Sequence, residues 1–245
     1  MPATLEATRL IDRIDDLIQA KHLLKHPFYQ AWTAGELSLD ALRDYAGQYY
    51  QHVKAFPTYI SALHAHTDDL DVRRHLTENL NDEEGSTPTH PELWLQFAEG
   101  LGVSAEAAES TVANSHTQAT IRSFRDICAN RSVAEGLAAL YAYESQIPAV
   151  SQSKIDGLKA FYGFTDERTW EYFTEHIVAD VEHSAAERAM LECITSNPSD
   201  SYHGLQSVGG ESADEAQKVL AATSEALDAI NGLLTGVAEA HGIEC

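Results

Sequence analysis

Apolar residues recur along the chain at intervals of three and four, and runs that alternate apolar with polar residues are scarce. That period is helical, because residues three and four apart share a face at about 100° per residue. The pattern predicts an all-α chain with helices near 4–24, 38–66, 68–84, 91–100, 104–129, 132–147, 151–163 and 166–195. Pro57 lies inside the second and is expected to kink it. After Asn197-Pro198-Ser199-Asp200 a polar segment runs to about Gly210, and Ser212 to Glu215 then reads as a capping box that opens a last helix. Leu220, Leu227, Ile230, Leu234 and Val237 share one side of it, so it is expected to dock on the bundle or on a second subunit of a homodimer. The expected division is a helical bundle over 1–197 and a linker with a docking helix over 198–245.

The same periodicity brings chemistry to one face of the helix over 166–195. His176, Asp180 and His183 stand at i, i+4 and i+7, within roughly 60° of arc. Two imidazoles and a carboxylate on one face form a metal-binding pattern. Tyr172 extends that stripe, Trp170, Phe173, Ile177 and Val181 form an apolar stripe beside it, and Glu171, Glu175 and Glu182 fall opposite. The ligands are therefore expected to face a core. A motif this short also arises by chance on solvated faces, so two further segments matter. In the stretch from Asn81 to Pro91 an acidic helix end carrying Glu83 meets a Gly/Pro break, and His90 stands where a new helix starts. This segment is expected to be the least ordered part of a site. In Leu137 to Pro148 an apolar helical run is interrupted by one charge, Glu144, flanked by Tyr141 and Tyr143. A charge in such a run calls for a partner, since isolated burial costs several kcal/mol, on the order of 2–7 even for a neutral polar group. Together the segments offer three carboxylates and three imidazoles, the mixed inventory with which helical bundles hold a pair of Fe or Mn ions. Two divalent ions are balanced by three carboxylates and one bridging hydroxide.

Glu83, His90, Glu144, His176, Asp180 and His183, in that order and spacing, resemble the six ligands of the haem-oxygenase-like dinuclear metal oxidases, and within them the p-aminobenzoate synthases. The likeness spans roughly residues 5–195 and includes KHPFYQAW at 25–32 and GELSLDALRDYAGQYYQHVKAFP at 35–57. These last two stretches are shared in style with thiaminase II and pyrroloquinoline-quinone synthase and bear on fold alone. The resemblance implies a haem-oxygenase-like bundle with two transition-metal ions, Fe/Fe or Mn/Fe, and with O2 and an external reductant as co-substrates. It implies further that Tyr29 supplies the aromatic ring of p-aminobenzoate for folate synthesis, with Tyr45 as the other candidate. Lys154, by residue type alone an exposed helical lysine, would supply the nitrogen, so that the chain consumes its own side chains about once. Tyr143 and Tyr172 match tyrosines that lie near the metals in that family.

Composition narrows the alternatives. With 44% apolar residues and only 7 Pro and 14 Gly, a chain of 245 residues can bury one substantial core. No basic and apolar leader and no run of 18 apolar residues is visible, so a cytoplasmic protein is expected. The three cysteines, Cys128, Cys193 and Cys245, are widely spaced, which suits reduced thiols. A formal charge of −22 repels phosphate backbones and anionic membranes, so neither nucleic acid nor membrane is an expected partner. Two other functions stay open: a dinuclear oxygenase acting on an external amine or fatty acid, and a metal-independent protein-interaction role served by the last helix and the acidic surface.

Overall fold

Side-chain caps and glycine or proline breaks delimit the helices in the computed structural model, which describes residues 9–196 and 213–245. The described helices are α1 (Leu10–Ala20), α2 (Pro27–Ala34), α3 (Leu39–His66), α4 (Leu70–Glu84), α5 (His90–Gly100), α6 (Ala105–Glu109), α7 (Ser115–Asn130), α8 (Val133–Glu144), α9 (Ile147–Phe161), α10 (Glu171–Ser196) and α11 (Ala213–Ala240). No strand occurs among the described residues, so the fold is all-α as the periodicity predicts. Ser38, Asp69, Thr89, Asn114 and Ser132 each accept a backbone N–H at the start of a helix, satisfying donors that have no partner within the helix.

Several boundaries differ from the sequence reading, each for a local reason. The first predicted helix stops at Ala20. His22 then accepts from the Leu24 amide in a 3-10 turn, and His26 caps a separate α2 that Pro27 opens. The helix expected over 104–129 is two helices, α6 and α7. The segment between them is tied to α3 by Gln48, which donates to the Val112 carbonyl and accepts from the Asn114 amide and the Thr117 hydroxyl. The break between α8 and α9 falls at Ser145 and Gln146, so Pro148 sits in the first turn of α9, where its missing N–H costs nothing. Val181 is 54% exposed and does not join Trp170 and Phe173 in the core. It stands about 100° round the helix from Asp180, on the solvent side. Ser212 and the linker before it lie outside the described residues, so the capping box does too.

α10 packs on α9, α8, α5 and α4, and α3 runs across α4, α5, α7 and α8. α11 lies along α7 and α8 and touches α1, α2 and α3, with Leu227, Ile230, Leu233, Leu234 and Val237 fully buried. The tail helix therefore docks on the bundle of its own chain. Among the described residues no helix is long and apolar enough to cross a membrane.

Candidate metal centre and its aromatic cage

Four helices converge on one interior region. α4 ends one residue after Glu83, α5 begins at His90, α8 ends at Glu144, and α10 contributes His176, Asp180 and His183 from successive turns. All six are at least 94% buried. They fall into two groups, Glu83 with His90 and His176, and Glu144 with Asp180 and His183. Within each group one ligand atom per residue lies within 4.8 Å of the others.

Around two of the imidazoles, hydrogen bonds leave one nitrogen facing the carboxylates. His176 Nδ1 is 2.7 Å from the Tyr172 carbonyl and donates to it, so Nε2 is turned to Glu83 at 3.9 Å. His183 Nε2 donates to Asp82 at 3.0 Å, which turns Nδ1 toward Asp180 and Glu144 at 3.7 and 3.8 Å. His90 Nδ1 is 3.1 Å from Glu83 Oε1 yet lacks hydrogen-bond geometry. A second partner that fixes the tautomer of an inward-facing imidazole is the arrangement found around bound metals.

The donor set fits a pair of cations. Glu144 Oε2, Asp180 Oδ2, His183 Nδ1 and His90 Nδ1 are buried and without hydrogen bonds, a state that costs about 1–3 kcal/mol for each group if nothing compensates it. Burial raises the Glu83 pKa, but the neighbouring imidazoles of His176 and His90 outweigh it and bring it to about 2. Burial likewise lowers His183, but Asp180, Glu144 and Asp82 together raise it to about 9. Burial, with a contribution from Asp180, holds the Glu144 carboxyl above its ordinary range. In the metal-free protein His183 and Glu144 are thus biased to hold protons where a cation would use their lone pairs, whereas Glu83 is ionised. Val53, Phe56, Glu83, Tyr143, Tyr172, His176 and Asp180 line a cavity of about 10 Å³, room for about one water.

Beside this region lies a cage of rings. Lys154 is only 3% exposed, and its Nζ stands 4.9–5.6 Å from the ring centroids of Phe173, Tyr49, Tyr29, Tyr45 and Trp94. Burial pushes its pKa well below the lysine range, whereas ring faces favour the ammonium by about 0.5–2 kcal/mol each. Burial and the ring faces thus act on the amine in opposite directions. The Tyr29 and Tyr45 hydroxyls are 2.9 Å apart, as are those of Tyr49 and Tyr143. Tyr45 and Tyr49 pack at 5.1 Å, and Trp94 stacks on Tyr49 at 4.9 Å and meets Tyr172 edge-on at 4.8 Å. A continuous set of rings thus joins the cavity wall at Tyr143 and Tyr172 to Tyr29 and Lys154. Burial keeps all five phenols protonated by raising their pKa values.

Sequence reading missed Tyr49, Asp82, Asn79 and Glu187. Tyr49 was visible in an aromatic stripe, Tyr45, Tyr49, His52, Phe56 and Tyr59, spaced by four, three, four and three. Asn79 lies one turn before Glu83 on α4 and donates to Glu144 Oε1 at 2.9 Å. Asp82 gave no signal, because one acid among several at a helix end looks solvated.

An all-helical bundle with paired Glu/Asp/His clusters between its helices defines a haem-oxygenase-like redox protein. The chain belongs to that family, whose model, described as an iron-containing redox enzyme, matches residues 43–209. A 4-aminobenzoate synthase of Chlamydia muridarum is 42% identical, over 94% of this chain and 90% of its own length. One from Nitrosomonas europaea is 40% identical over 93% of this chain and 90% of its own. Among solved structures, a domain of unknown function with a heme oxygenase-like fold from Shewanella denitrificans aligns with a TM-score of 0.75. At 15% identity, covering 98% of this chain and 95% of that one, it bears on fold alone.

Proposed function

We propose that this chain makes p-aminobenzoate from its own side chains, Tyr29 giving the ring and Lys154 the nitrogen, beside a pair of transition-metal ions. Glu83, His90 and His176 would hold one ion and Glu144, Asp180 and His183 the other, and this donor set suits Fe/Fe and Mn/Fe alike. When bound, the metals supply the one-electron route to O2 that side chains lack, with O2 and an external reductant as co-substrates. Both similar synthases share about two fifths of their residues with this chain over almost all of it.

The observation that carries the reading is the placement of Lys154, a buried amine 5.2 Å from the centre of the Tyr29 ring. The Lys154 backbone carbonyl accepts from Trp32 Nε1 at 3.2 Å, which fixes α9 against α2 and holds amine and ring together. The Tyr45 hydroxyl shares a hydrogen bond with that of Tyr29 and orients the phenol beside the amine. Tyr143, bonded to Tyr49 and lining the cavity, offers a relay from the metal region to the cage. Packed rings exclude water, which protects reactive species from hydrolysis. Tyr45, 5.3 Å from the same amine, is the second candidate for the ring.

An external amine or fatty acid as substrate leaves the buried amine of Lys154, set among five aromatic rings, without a role. An interaction role without metal leaves the buried carboxylates of Glu83, Glu144 and Asp180 without a function.

Intact-mass spectrometry after aerobic incubation with Fe(II), Mn(II) and reductant tests the proposal. The chain should lose a side-chain-sized mass, and protein carrying ring-deuterated tyrosine should release deuterated p-aminobenzoate at no more than about one equivalent per chain, the limit if the site consumes itself. Tyr29→Phe and Lys154→Arg should each abolish product while retaining metal, since one removes the oxidisable phenol and the other the transferable primary amine. Many turnovers per chain, or unlabelled product from an added small molecule, would overturn self-consumption.

A further inference from the structure

The stripe on α10 does not end at His183. Glu187 stands four residues on, so His176, Asp180, His183 and Glu187 follow one another at intervals of four, three and four along a single face. Glu187 is 0% exposed, and neither of its carboxyl oxygens has a hydrogen-bond partner. Its carboxyl meets that of Glu144, and the other groups acting on it are Asp180 and Cys128, with no cation among them. A carboxyl buried against other acids is unfavourable unless a proton or a metal compensates it.

We propose that Glu187 is a fourth protein carboxylate of the metal site, a ligand to the ion held by Glu144, Asp180 and His183. The proposal rests on the dinuclear reading above and adds a donor to it. The carboxyl of Glu187 reaches the cluster through Glu144 and is not among the atoms gathered within 4.8 Å. Binding therefore requires a rotation of the Glu187 side chain toward Glu144 and Asp180. Charge also favours it. Glu83, Glu144, Asp180 and Glu187 carry four negative charges when ionised, which neutralise two divalent ions with no bridging hydroxide. The two halves then differ in kind. One holds a single carboxylate with two imidazoles, the other three carboxylates with one imidazole.

Glu187→Gln separates a ligand from a neutral acid that merely packs against Glu144. Glutamine keeps the volume but loses the anionic oxygen. Metal-free wild type and variant are titrated with Mn(II) alone, and free ion is counted by electron paramagnetic resonance. Wild type should take up two equivalents. In Glu187→Gln one equivalent should weaken by at least about tenfold, the lower bound for changes near a metal, while the other is unchanged. The metal-free variant should melt at or above the wild-type temperature, because a buried uncompensated carboxyl has been removed. Glu187→Ala should show the same selective loss, which guards against a misfit of glutamine. Two equivalents bound with wild-type affinity in both variants would overturn the role of Glu187 and leave the six-residue site standing. Failure of wild type to bind Mn(II) at all would overturn the dinuclear site itself.

Discussion

At the scale of single residues, the site is organised by which nitrogen or oxygen is left free once local hydrogen bonds are made. His183 shows the consequence. Its pKa of about 9 means that the metal-free protein holds a proton there at neutral pH, with burial overcome by Asp180, Glu144 and Asp82. A cation needs the lone pair of Nδ1 and must expel that proton. Metal uptake at pH 7 should therefore release about one proton or more per chain, and apparent affinity should rise from pH 7 to about 9 and level off above. Calorimetry of Mn(II) binding in buffers of different ionisation enthalpy measures the release, and a heat independent of buffer would contradict it. For the metal-free fold the sign is opposite. A raised histidine pKa stabilises fully below the unfolded value of about 6.5, and that contribution is lost as pH climbs through about 9.

At the scale of helices, close backbone approach decides what meets what. Gly157 on α9 lies against Trp32, and a Cβ there would come within 2.5 Å of the indole. Alanine normally favours a helix over glycine by about 1 kcal/mol, but overpacking a buried contact costs about 1–3 kcal/mol. Gly157→Ala should thus lower the melting temperature and shift Lys154 from Tyr29, cutting product yield while metal stoichiometry stays the same. A raised melting temperature with full yield would show that α2 and α9 can part without consequence. What the sequence disclosed follows the same division. The α10 stripe was legible because its period lies within one helix, and Glu144 because a lone charge breaks an apolar run. The break between α6 and α7 was hidden, since the groups that hold it belong to Gln48 on α3. Burial of Lys154 was hidden too, because residue type argues for solvent and only the packing of α2, α3, α5 and α10 around α9 encloses the amine.

At the scale of the molecule, the acidic exterior and the aromatic interior divide the chain. The interior rings form part of the packed core. Tyr29 is 2% exposed and packs edge-on or tilted against Phe28, Trp32 and Tyr45. If its ring leaves as product, the void resembles that of an aromatic-to-alanine change, worth about 3–5 kcal/mol out of a typical total of about 5–15. Reacted chains should melt lower and be cut faster by a nonspecific protease than unreacted ones, and equal resistance would show that the void collapses freely. The used molecule would then carry its own mark for disposal. A catalyst that works once gains if its remains unfold readily, because their amino acids return for the synthesis of the next copy.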